Sequence, residues 1–586
     1  MKKTVSLLMA LVMIFGVLTA LTSCGKPKND GAEINIYLGS QIFDFDPSDY
    51  YVSDNAEQIL NLIYEPLFTI KENGKIKCAA ADDYEVDEEE RKIIIEIRES
   101  YWSDDIKVVA ADFVYTWVER IINSDIPNPA ATLFTDIEGV KEAIRGEGSI
   151  YDVAIKATEM NQITITYCEG ADYKRILKNL SSVATAPVRQ DIVESAPTYW
   201  SKSSSVSNGA FKITSYDEQN RSFELARNLG YHQNPDVKDY DNKVRPALLY
   251  GTFTSPNSDI TVSYKDIEEK VTFIMADASL AERKEYADKA EISDHTSTYT
   301  YVFNTSHPLF ADVNVRRALT AAIDRNAIIE AITFGKAADG FIPDVSCGSE
   351  EKLIPAGVSP ERAQKYLDLA DQNVVRANRT FTLTIDSDEQ SKAIADIVKP
   401  AWEALGFTVN VVVAPAVESK LSNGSVIYDS GIQYLIKNAS YGNVNYDVIA
   451  VDWQTYTTDA LPGLATLTSE YGGMGKNQIH VDPALGQNDY SVARKNIAAW
   501  SDAEYDRLIK EAMACTDADE RREKLAEAEK YLVKMAPVCP LVFNQNFAFE
   551  GKKISKVKFD GLGNLVFTNA KLKGYKNYYK PEETEE

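Results

Sequence analysis

Histidine is scarce in this chain, and the few copies that occur form no motif. Its 586 residues include four histidines, and no two of them lie at the spacing of a metal-binding pair. The motifs HExxH, GxSxG and the phosphate-binding loop that ends in GK[ST] are absent as well. These absences argue against a hydrolase. The sequence therefore predicts a protein that is not an enzyme and that carries no metal and no cofactor.

Basic residues are too few to balance the acidic ones. The chain has 62 Lys and Arg against 88 Asp and Glu, a formal net charge of −26 at pH 7. Such a chain repels nucleic acid and anionic lipid, so neither is an expected partner. Beyond residue 24 no apolar run has the length of a membrane span. The composition, 44% hydrophobic and 26% charged, is that of a globular protein with room for two or more domains.

Cysteine occurs six times and never at CxxC spacing. A structural zinc site or a dense disulfide framework is therefore not expected. Setting Cys24 aside leaves five cysteines, an odd number, so they cannot all pair with one another in disulfides. One or two disulfides stay open as an alternative, and isolated buried thiols are the simpler interpretation. The remaining five are Cys78, Cys168, Cys347, Cys515 and Cys539.

The first 24 residues carry the clearest positive signal. Lys2 and Lys3 give a basic start, the stretch 5–20 is almost wholly apolar, and residues 21–24 read LTSC. This three-part form is typical of a signal peptide. The LTSC segment resembles a bacterial lipobox, which implies cleavage before Cys24 and a lipid on its sulfur as the only membrane contact. An ordinary signal peptide followed by a chance cysteine is the alternative.

Strands and helices alternate along the rest of the chain without a short repeat. The spacing of apolar residues predicts one long helix over residues 313–332, in which either Arg316 or Arg317 pairs with a carboxylate. A second helix is predicted over residues 393–405, ended by Gly406. This mixture indicates α/β or α+β domains.

Short landmarks follow one another in the order of a known family. Each is weak alone, but together they resemble the extracytoplasmic solute-binding proteins of peptide ABC importers, the dipeptide and oligopeptide group, over nearly the whole mature chain. Residues 464–500 do not match and are expected to be an insertion. The landmarks are 45–47 (FDP), 62–67 (LIYEPL), 101–105 (YWSDD), 111–117 (ADFVYTW), 208–212 (NGAFK), 301–305 (YVFNT), 313–319 (VNVRRAL), 322–325 (AIDR), 452–453 (DW) and 536–541 (APVCPL).

The resemblance implies a two-lobed α/β fold of the periplasmic-binding-protein type. A ligand cleft separates the lobes, and lobe I is enlarged by an extra subdomain. Clefts between domains are common ligand sites, and closure about a hinge is the motion to expect. The predicted divisions are a signal peptide (1–23), a lipid-anchored linker (24–31), the first part of lobe I (32–299), lobe II (300–536), and the second part of lobe I with an acidic tail (537–586).

The resemblance also implies where a ligand lies. In this family a bound peptide is extended and pairs its backbone with the protein, while roomy pockets accept varied side chains. Trp453 is expected either to wall such a pocket or to pack within lobe II. The matching lobe I segment is Tyr50, Tyr51, Val52 and Ser53, and the matching lobe II segment is Val451, Asp452, Trp453, Gln454 and Thr455.

The sequence departs from the family at the group that binds the ligand ammonium. The carboxylate that the family places three residues after the tryptophan is replaced here by Tyr456. Asp459 is the nearest substitute, and Asp452 is also available, because a buried ammonium requires a partner charge. The alternative for Asp459 is a solvated loop or helix-cap carboxylate.

The resulting hypothesis is a monomeric, lipid-anchored receptor outside the cytoplasm of a bacterium. It would capture oligopeptides by hinge closure and deliver them to the permease subunits of an ABC transporter. An oligosaccharide or another small ligand is the alternative for the same receptor. A secreted hydrolase is the least favoured interpretation.

Overall fold

The computed structural model describes residues 32–40, 44–49, 54–124, 128–197, 200–201, 206–217, 220–232, 244–254, 263–265, 273–275, 277–420, 426–440, 444–469, 479–480, 490–491 and 496–573. The predicted signal peptide, Cys24 and the linker lie outside these ranges. None of the helices in the described ranges has both the length and the apolar character needed to cross a membrane.

The strands are β1 (Ala32–Ser40), β2 (Phe68–Ile70), β3 (Ile76–Cys78), β4 (Ala81–Asp87), β5 (Lys92–Ile97), β6 (Ile155–Glu159), β7 (Gln162–Thr166), β8 (Phe211–Asp217), β9 (Ser222–Arg227), β10 (Pro246–Thr254), β11 (Phe273–Met275), β12 (Glu291–Phe303), β13 (Lys336–Ala337), β14 (Thr380–Ile385), β15 (Thr408–Val413), β16 (Val417–Lys420), β17 (Val426–Asp429), β18 (Val448–Gln454), β19 (Ile479–His480), β20 (Tyr490–Ser491), β21 (Val538–Glu550), β22 (Ile554–Ser555), β23 (Lys558–Phe559), β24 (Leu565–Val566) and β25 (Lys571–Leu572).

The α-helices are α1 (Asp54–Ile63), α2 (Ala110–Val114), α3 (Val140–Arg145), α4 (Tyr173–Asn179), α5 (Gln190–Ser195), α6 (Leu280–Glu285), α7 (Pro308–Ala311), α8 (Val313–Ala321), α9 (Arg325–Ile332), α10 (Pro360–Leu369), α11 (Gln372–Ala377), α12 (Glu389–Glu403), α13 (Gly431–Ser440), α14 (Leu461–Ala465), α15 (Ala503–Ala514) and α16 (Ala518–Met535). A π-helical segment, Tyr115–Ile122, continues α2 directly.

One large sheet runs through both lobes. Its strand order is β15-β14-β18-β12-β21-β11-β1-β10-β9-β8, and β13 pairs with β21 at one side. The two long central strands, β12 and β21, pair antiparallel from Val302 with Val538 to Glu291 with Ala548. Each therefore belongs to both lobes, with β1 and β8–β11 in lobe I and β13–β15 and β18 in lobe II.

Lobe I carries a second, antiparallel sheet in the order β4-β5-β7-β6. Its inward side chains alternate along the strands, with Ile93, Ile95, Ile163 and Ile165 fully buried. This sheet, with α2–α5 and the 3-10 turn Pro129–Phe134, forms a subdomain of lobe I.

The largest cluster of buried apolar side chains is continuous between the lobes. Ile34 and Trp117 of lobe I belong to the same cluster as Trp453 and Leu464 of lobe II. A second cluster around Trp402 fills the other face of the lobe II sheet. Outside the crossing strands the lobes are also in contact, because α14 of lobe II lies against the 3-10 turn Pro129–Phe134 of lobe I. We call this arrangement closed.

The helices and domain divisions predicted from the sequence agree only in part with the structure. The single helix predicted over residues 313–332 is wrong, because Asp324 caps a new helix by accepting from the amides of Asn326 and Ala327. The second predicted helix is confirmed as α12, and Gly406 follows it with a φ of +87°. The predicted division at residues 299/300 falls within β12, and the division at 536/537 falls just before β21.

Candidate functional site

The candidate site is centred on the carboxyl end of β18. The sequence VIAVDWQ forms a strand buried on both faces, as expected for the interior of an α/β sheet. On one side β12 accompanies β18 from Val448 to Gln454. On the other side, within the described residues, β14 pairs in parallel with it only at Val448 and Ile449. The carboxyl ends of parallel strands are where open α/β sheets bind ligands.

Trp453 packs inside lobe II. Its indole Nε1 donates to the carbonyl oxygen of Gly463 at 3.0 Å, and its ring centroid lies 5.3 Å from that of Phe341. The side chain is 7% exposed. These contacts agree with the alternative in which Trp453 packs within lobe II. Its other suggested role, as the wall of a ligand pocket, stays a prediction.

Asp452 is half-buried and belongs to a chain of polar groups at the crossing strands. Its Oδ1 accepts from Nδ2 of Asn544 on β21 at 2.7 Å, and the same nitrogen donates to Oγ of Ser297 at 2.8 Å. That hydroxyl lies 2.8 Å from Nδ1 of His295, whose Nε2 lies 3.2 Å from Oε2 of Glu57 on α1. We call Glu57, His295, Ser297, Asn544 and Asp452 the hinge chain.

The residues after Trp453 are held against the crossing strand. Thr455 donates from both its amide (2.9 Å) and its hydroxyl (2.7 Å) to the carbonyl oxygen of Thr296. Tyr456 has a left-handed backbone with a φ of +64°, which is rare for a bulky side chain and therefore fixed by its surroundings. Val451, Gln454, Thr455 and Tyr456 are all buried.

Asp459 is buried between two arginines. Its Oδ1 accepts from the amide of Leu461 at 2.9 Å and from both terminal nitrogens of Arg521 at 3.2 Å. Its Oδ2 lies 3.0 Å from Nη2 of Arg521 and 3.6 Å from Nε of Arg175. A ligand ammonium at this carboxylate would compete with a guanidinium for the same oxygens, so the predicted ammonium contact stays a prediction.

Arg175 holds a second carboxylate. It donates from Nε and Nη2 to the two oxygens of Asp136 at 2.5 and 2.8 Å. Burial raises the pKa of Asp136, but the hydrogen bonds and charge of Arg175 outweigh burial and hold it below its ordinary value. Asp136, Arg175, Asp459 and Arg521 alternate in sign, and we call them the seam cluster.

The predicted lobe I segment, Tyr50, Tyr51, Val52 and Ser53, lies outside the described residues. Its flanks are described. On the N-terminal side, Asp46 forms an ion pair with Arg120, whose guanidinium lies 5.5 Å from the ring centroid of Trp200. Asp46 also accepts from the amide of Ser48 at 2.8 Å. On the C-terminal side α1 begins at Asp54, so both flanks are fixed to lobe I.

Metal-binding groupings are absent from the described ranges: no three His, Cys, Asp or Glu side chains are placed to share an ion. The histidines have other contacts. His232 pairs with Glu65 at 2.6 Å, and His307 caps α7 through Nδ1. The five cysteines beyond Cys24 are free thiols, with Cys539 buried and Cys347 exposed.

Two lobes joined by long crossing strands, with a sheet end between them, define a hinged binding protein. The family model described as bacterial extracellular solute-binding proteins, family 5 middle, matches residues 75–475. The chain therefore belongs to the bacterial extracellular solute-binding proteins of family 5.

Individual relatives are distant and cover most of the chain. The dipeptide-binding protein DppE of Bacillus subtilis is 23% identical, in an alignment that covers 91% of this chain and 90% of DppE. The oligopeptide-binding protein OppA of the same organism is 23% identical over 98% of this chain and all of its own. The solved structure of Listeria monocytogenes OppA bound to peptide aligns over 93% of this chain and 100% of its own, with a TM-score of 0.72 at 16% identity. The predicted two-lobed α/β fold is confirmed.

Proposed function

We propose that this protein captures peptides outside the cytoplasm by closing its lobes around them, and that it hands them to the permease of an ABC importer. Membership in the solute-binding family supports the receptor role. Peptides are supported as the solute because the relatives described above are named for binding dipeptides and oligopeptides.

The observation that carries the proposal is the second side of β18. Among the described residues, β14 pairs with this strand only as far as Ile449, whereas β12 continues beside it to Gln454. A peptide laid along the strand there would extend the sheet through main-chain hydrogen bonds. Because such bonds do not depend on side chains, they suit a receptor for peptides of varied sequence.

The first experiment identifies the ligand directly. Protein purified without denaturation is unfolded, and the released compounds are analysed by mass spectrometry. We expect short peptides, and calorimetry should then show saturable one-to-one binding of synthetic copies. Release of a glycan or another non-peptide compound, without saturable binding of any released or library peptide, would overturn the proposal in favour of the alternative ligand class.

The second experiment tests main-chain pairing. Each backbone amide of a bound peptide is replaced in turn by an ester, which removes one N–H donor and leaves the side chains unchanged. Every second ester should weaken binding by about 1 kcal/mol, roughly fivefold, because alternate amides of an extended strand face the same neighbour. The intervening positions serve as internal controls. Equal insensitivity at all positions would contradict pairing with β18.

The anchor and the absence of turnover are further parts of the proposal. We infer that Cys24 carries the lipid, so Cys24→Ala should release the protein into the soluble fraction and remove the mass of a diacylglyceryl group. A wild-type protein that is unmodified and soluble would contradict this.

Peptides incubated with the purified protein should be recovered intact, and the protein should sediment as a monomer. Catalytic cleavage would make the protein an enzyme.

A further inference from the structure

The seam cluster connects the two lobes by charge. Asp136 and Arg175 belong to the subdomain of lobe I, whereas Asp459 and Arg521 belong to lobe II. Among the described residues of this cluster, the only ion pair within 4 Å that joins the lobes is that of Arg175 Nε with Asp459 Oδ2, at 3.6 Å. The side chains of all four residues are between 8% and 12% exposed. Two carboxylates and two guanidiniums therefore balance each other away from water.

Local structure fixes each partner within its own lobe. The helix that carries Arg175 is capped by Asp172, which accepts from the amide of Lys174. The helix that carries Arg521 is capped by Asp517. Within lobe I, Arg175 holds Asp136 through two hydrogen bonds, and within lobe II, Arg521 holds Asp459. When the lobes separate, each pair keeps its own partner, and no charge is left unmatched.

Close packing surrounds the cluster. The helix α14 lies against the 3-10 turn Pro129–Phe134, and the hydroxyl of Thr457 donates to the carbonyl oxygen of Lys178 at 3.4 Å. A Cβ on Gly170 would lie 2.0 Å from Cγ2 of Thr516. This contact between lobes, made by the seam cluster and these neighbours, is called the seam.

We propose that the seam cluster is a latch that favours the closed arrangement whatever the charge of the ligand, with Asp459 acting on closure as a positioning residue. The closed arrangement is then favoured even when the bound ligand has no ammonium group. Free and N-acetylated ligands consequently gain equally from the latch. This goes beyond the proposed function, because the latch acts in the protein without ligand.

The test measures the open fraction of the unliganded protein by small-angle X-ray scattering. Asp459→Asn keeps the side-chain oxygen that accepts from Leu461 but removes the charge that faces both Arg521 and Arg175. Its radius of gyration should increase towards the open value, with a roughly fivefold rise in the ratio of open to closed protein. Arg175→Lys keeps the charge but removes the Nε group that faces Asp459, and it should give a smaller increase.

The matched control is Arg189→Gln. Arg189 holds Asp104 and Asp191 at 2.7 and 2.6 Å, and all three residues lie within the subdomain of lobe I. Its loss should lower the melting temperature without changing the radius. Thermal unfolding of each variant confirms that it is folded. An unchanged radius in both Asp459→Asn and Arg175→Lys would overturn the latch.

Binding separates the latch from an ammonium site. If Asp459 acts through closure, Asp459→Asn weakens a free peptide and its N-acetylated form by the same factor, about fivefold. If only the free peptide is weakened, Asp459 is the ammonium partner and the latch is overturned. If neither peptide binds the wild type, the proposed function fails, while the scattering result still decides the latch.

Discussion

Two of the places where the lobes meet differ in their chemistry. At the crossing strands, the acids Glu57, Asp452 and Asp560 outnumber the one base among them, His295. The neutral Asn544 links Asp452 to Ser297. At the seam, two carboxylates alternate with two guanidiniums. The contact at the crossing strands therefore has more acidic than basic groups and includes neutral linking groups, whereas the charges at the seam balance.

The difference follows from what each contact does when the lobes move. If the strands β12 and β21 remain paired, the hinge chain keeps its partners and can rely on neutral hydrogen bonds. In the proposed opening of the lobes the seam separates, and its groups become exposed to water. A buried charge without its partner is expensive, but a pair that is retained within each lobe can be wetted at low cost. Four predictions test this contrast.

The largest effect is expected from Asn544→Leu, which interrupts the hinge chain. The amide nitrogen donates to both Ser297 and Asp452, and leucine leaves them without this buried donor. We expect the free energy of unfolding to fall by about 2–4 kcal/mol in urea denaturation. Asn438→Leu is the control, because among the described residues its amide donates only to the carbonyl oxygen of Tyr434 on the same helix. It should change stability by less than about 0.5 kcal/mol, and equal losses would contradict the contrast.

Gly563→Ala adds a methyl group at the hinge. Gly563 has a φ of +88°, and its Cβ would lie 2.5 Å from the carbonyl oxygen of Asp294. Backbone cannot move aside as a side chain can, so we expect a loss of about 2–3 kcal/mol. Gly74→Ala controls for the backbone term alone, since Gly74 has a φ of +74° and open space around it. The control should cost about 1 kcal/mol, and an equal cost at both sites would show that no close approach exists.

Gly170→Ala makes the matching change at the seam. Gly170 has a φ of +77°, but the obstructing atoms belong to Thr516 in the other lobe. Opening the lobes relieves this clash, so the free energy of unfolding should fall by only about 1 kcal/mol. The radius of gyration without ligand should increase, whereas Gly563→Ala should leave it unchanged. If both variants behave alike, the two contacts do not differ in mobility.

The smallest effect is on the pH dependence of stability. The pKa shifts at the crossing strands and at the seam have opposite signs. Burial raises the pKa of Asp560 to about 6 from 3.8, so its contribution to stability is complete below about pH 4 and is lost as the pH rises through about 6. The pKa of Asp136 is lowered instead, because Arg175 outweighs burial. Its contribution is present above about pH 4 and is lost on further acidification.

Urea denaturation across pH checks these signs. Asp560→Asn should flatten the decline in the free energy of unfolding between about pH 4 and 7. Asp136→Asn should flatten the loss on the acid side, while the decline towards neutral pH persists. A wild-type profile that Asp560→Asn leaves unchanged across that window would contradict the shifted pKa.

Elements set by local chemistry could be predicted from the sequence. The end of α12 at Gly406 depends on one residue with a left-handed backbone, and that signal is local. The break between α8 and α9 was also signalled, by the capping residue Asp324, but the apolar spacing across residues 313–332 concealed it. Landmarks in family order identified the fold, because order over a long chain is more specific than any single motif.

Contacts between distant residues could not be predicted. Neither Arg316 nor Arg317 pairs with a carboxylate in the described residues. Arg316 instead donates to the carbonyl oxygens of Met535 and Ala536 at the end of α16, and burial lowers its pKa to about 10. The seam cluster joins positions that are separated by hundreds of residues. Nothing near Asp459 in the sequence indicates Arg175, so an ammonium partner was the available hypothesis.

The position of β21 in the sheet has a consequence for the order in which the protein is made. This strand lies between β11 and β12, yet it follows all of lobe II in the sequence. Synthesis delivers the chain from its N-terminus, so the strands of lobe I wait for their central neighbour until lobe II has been synthesised. Pairing across so long a separation is slow. We therefore expect the central pairing of the large sheet to be among the last contacts to form, because its second long strand is made only after lobe II.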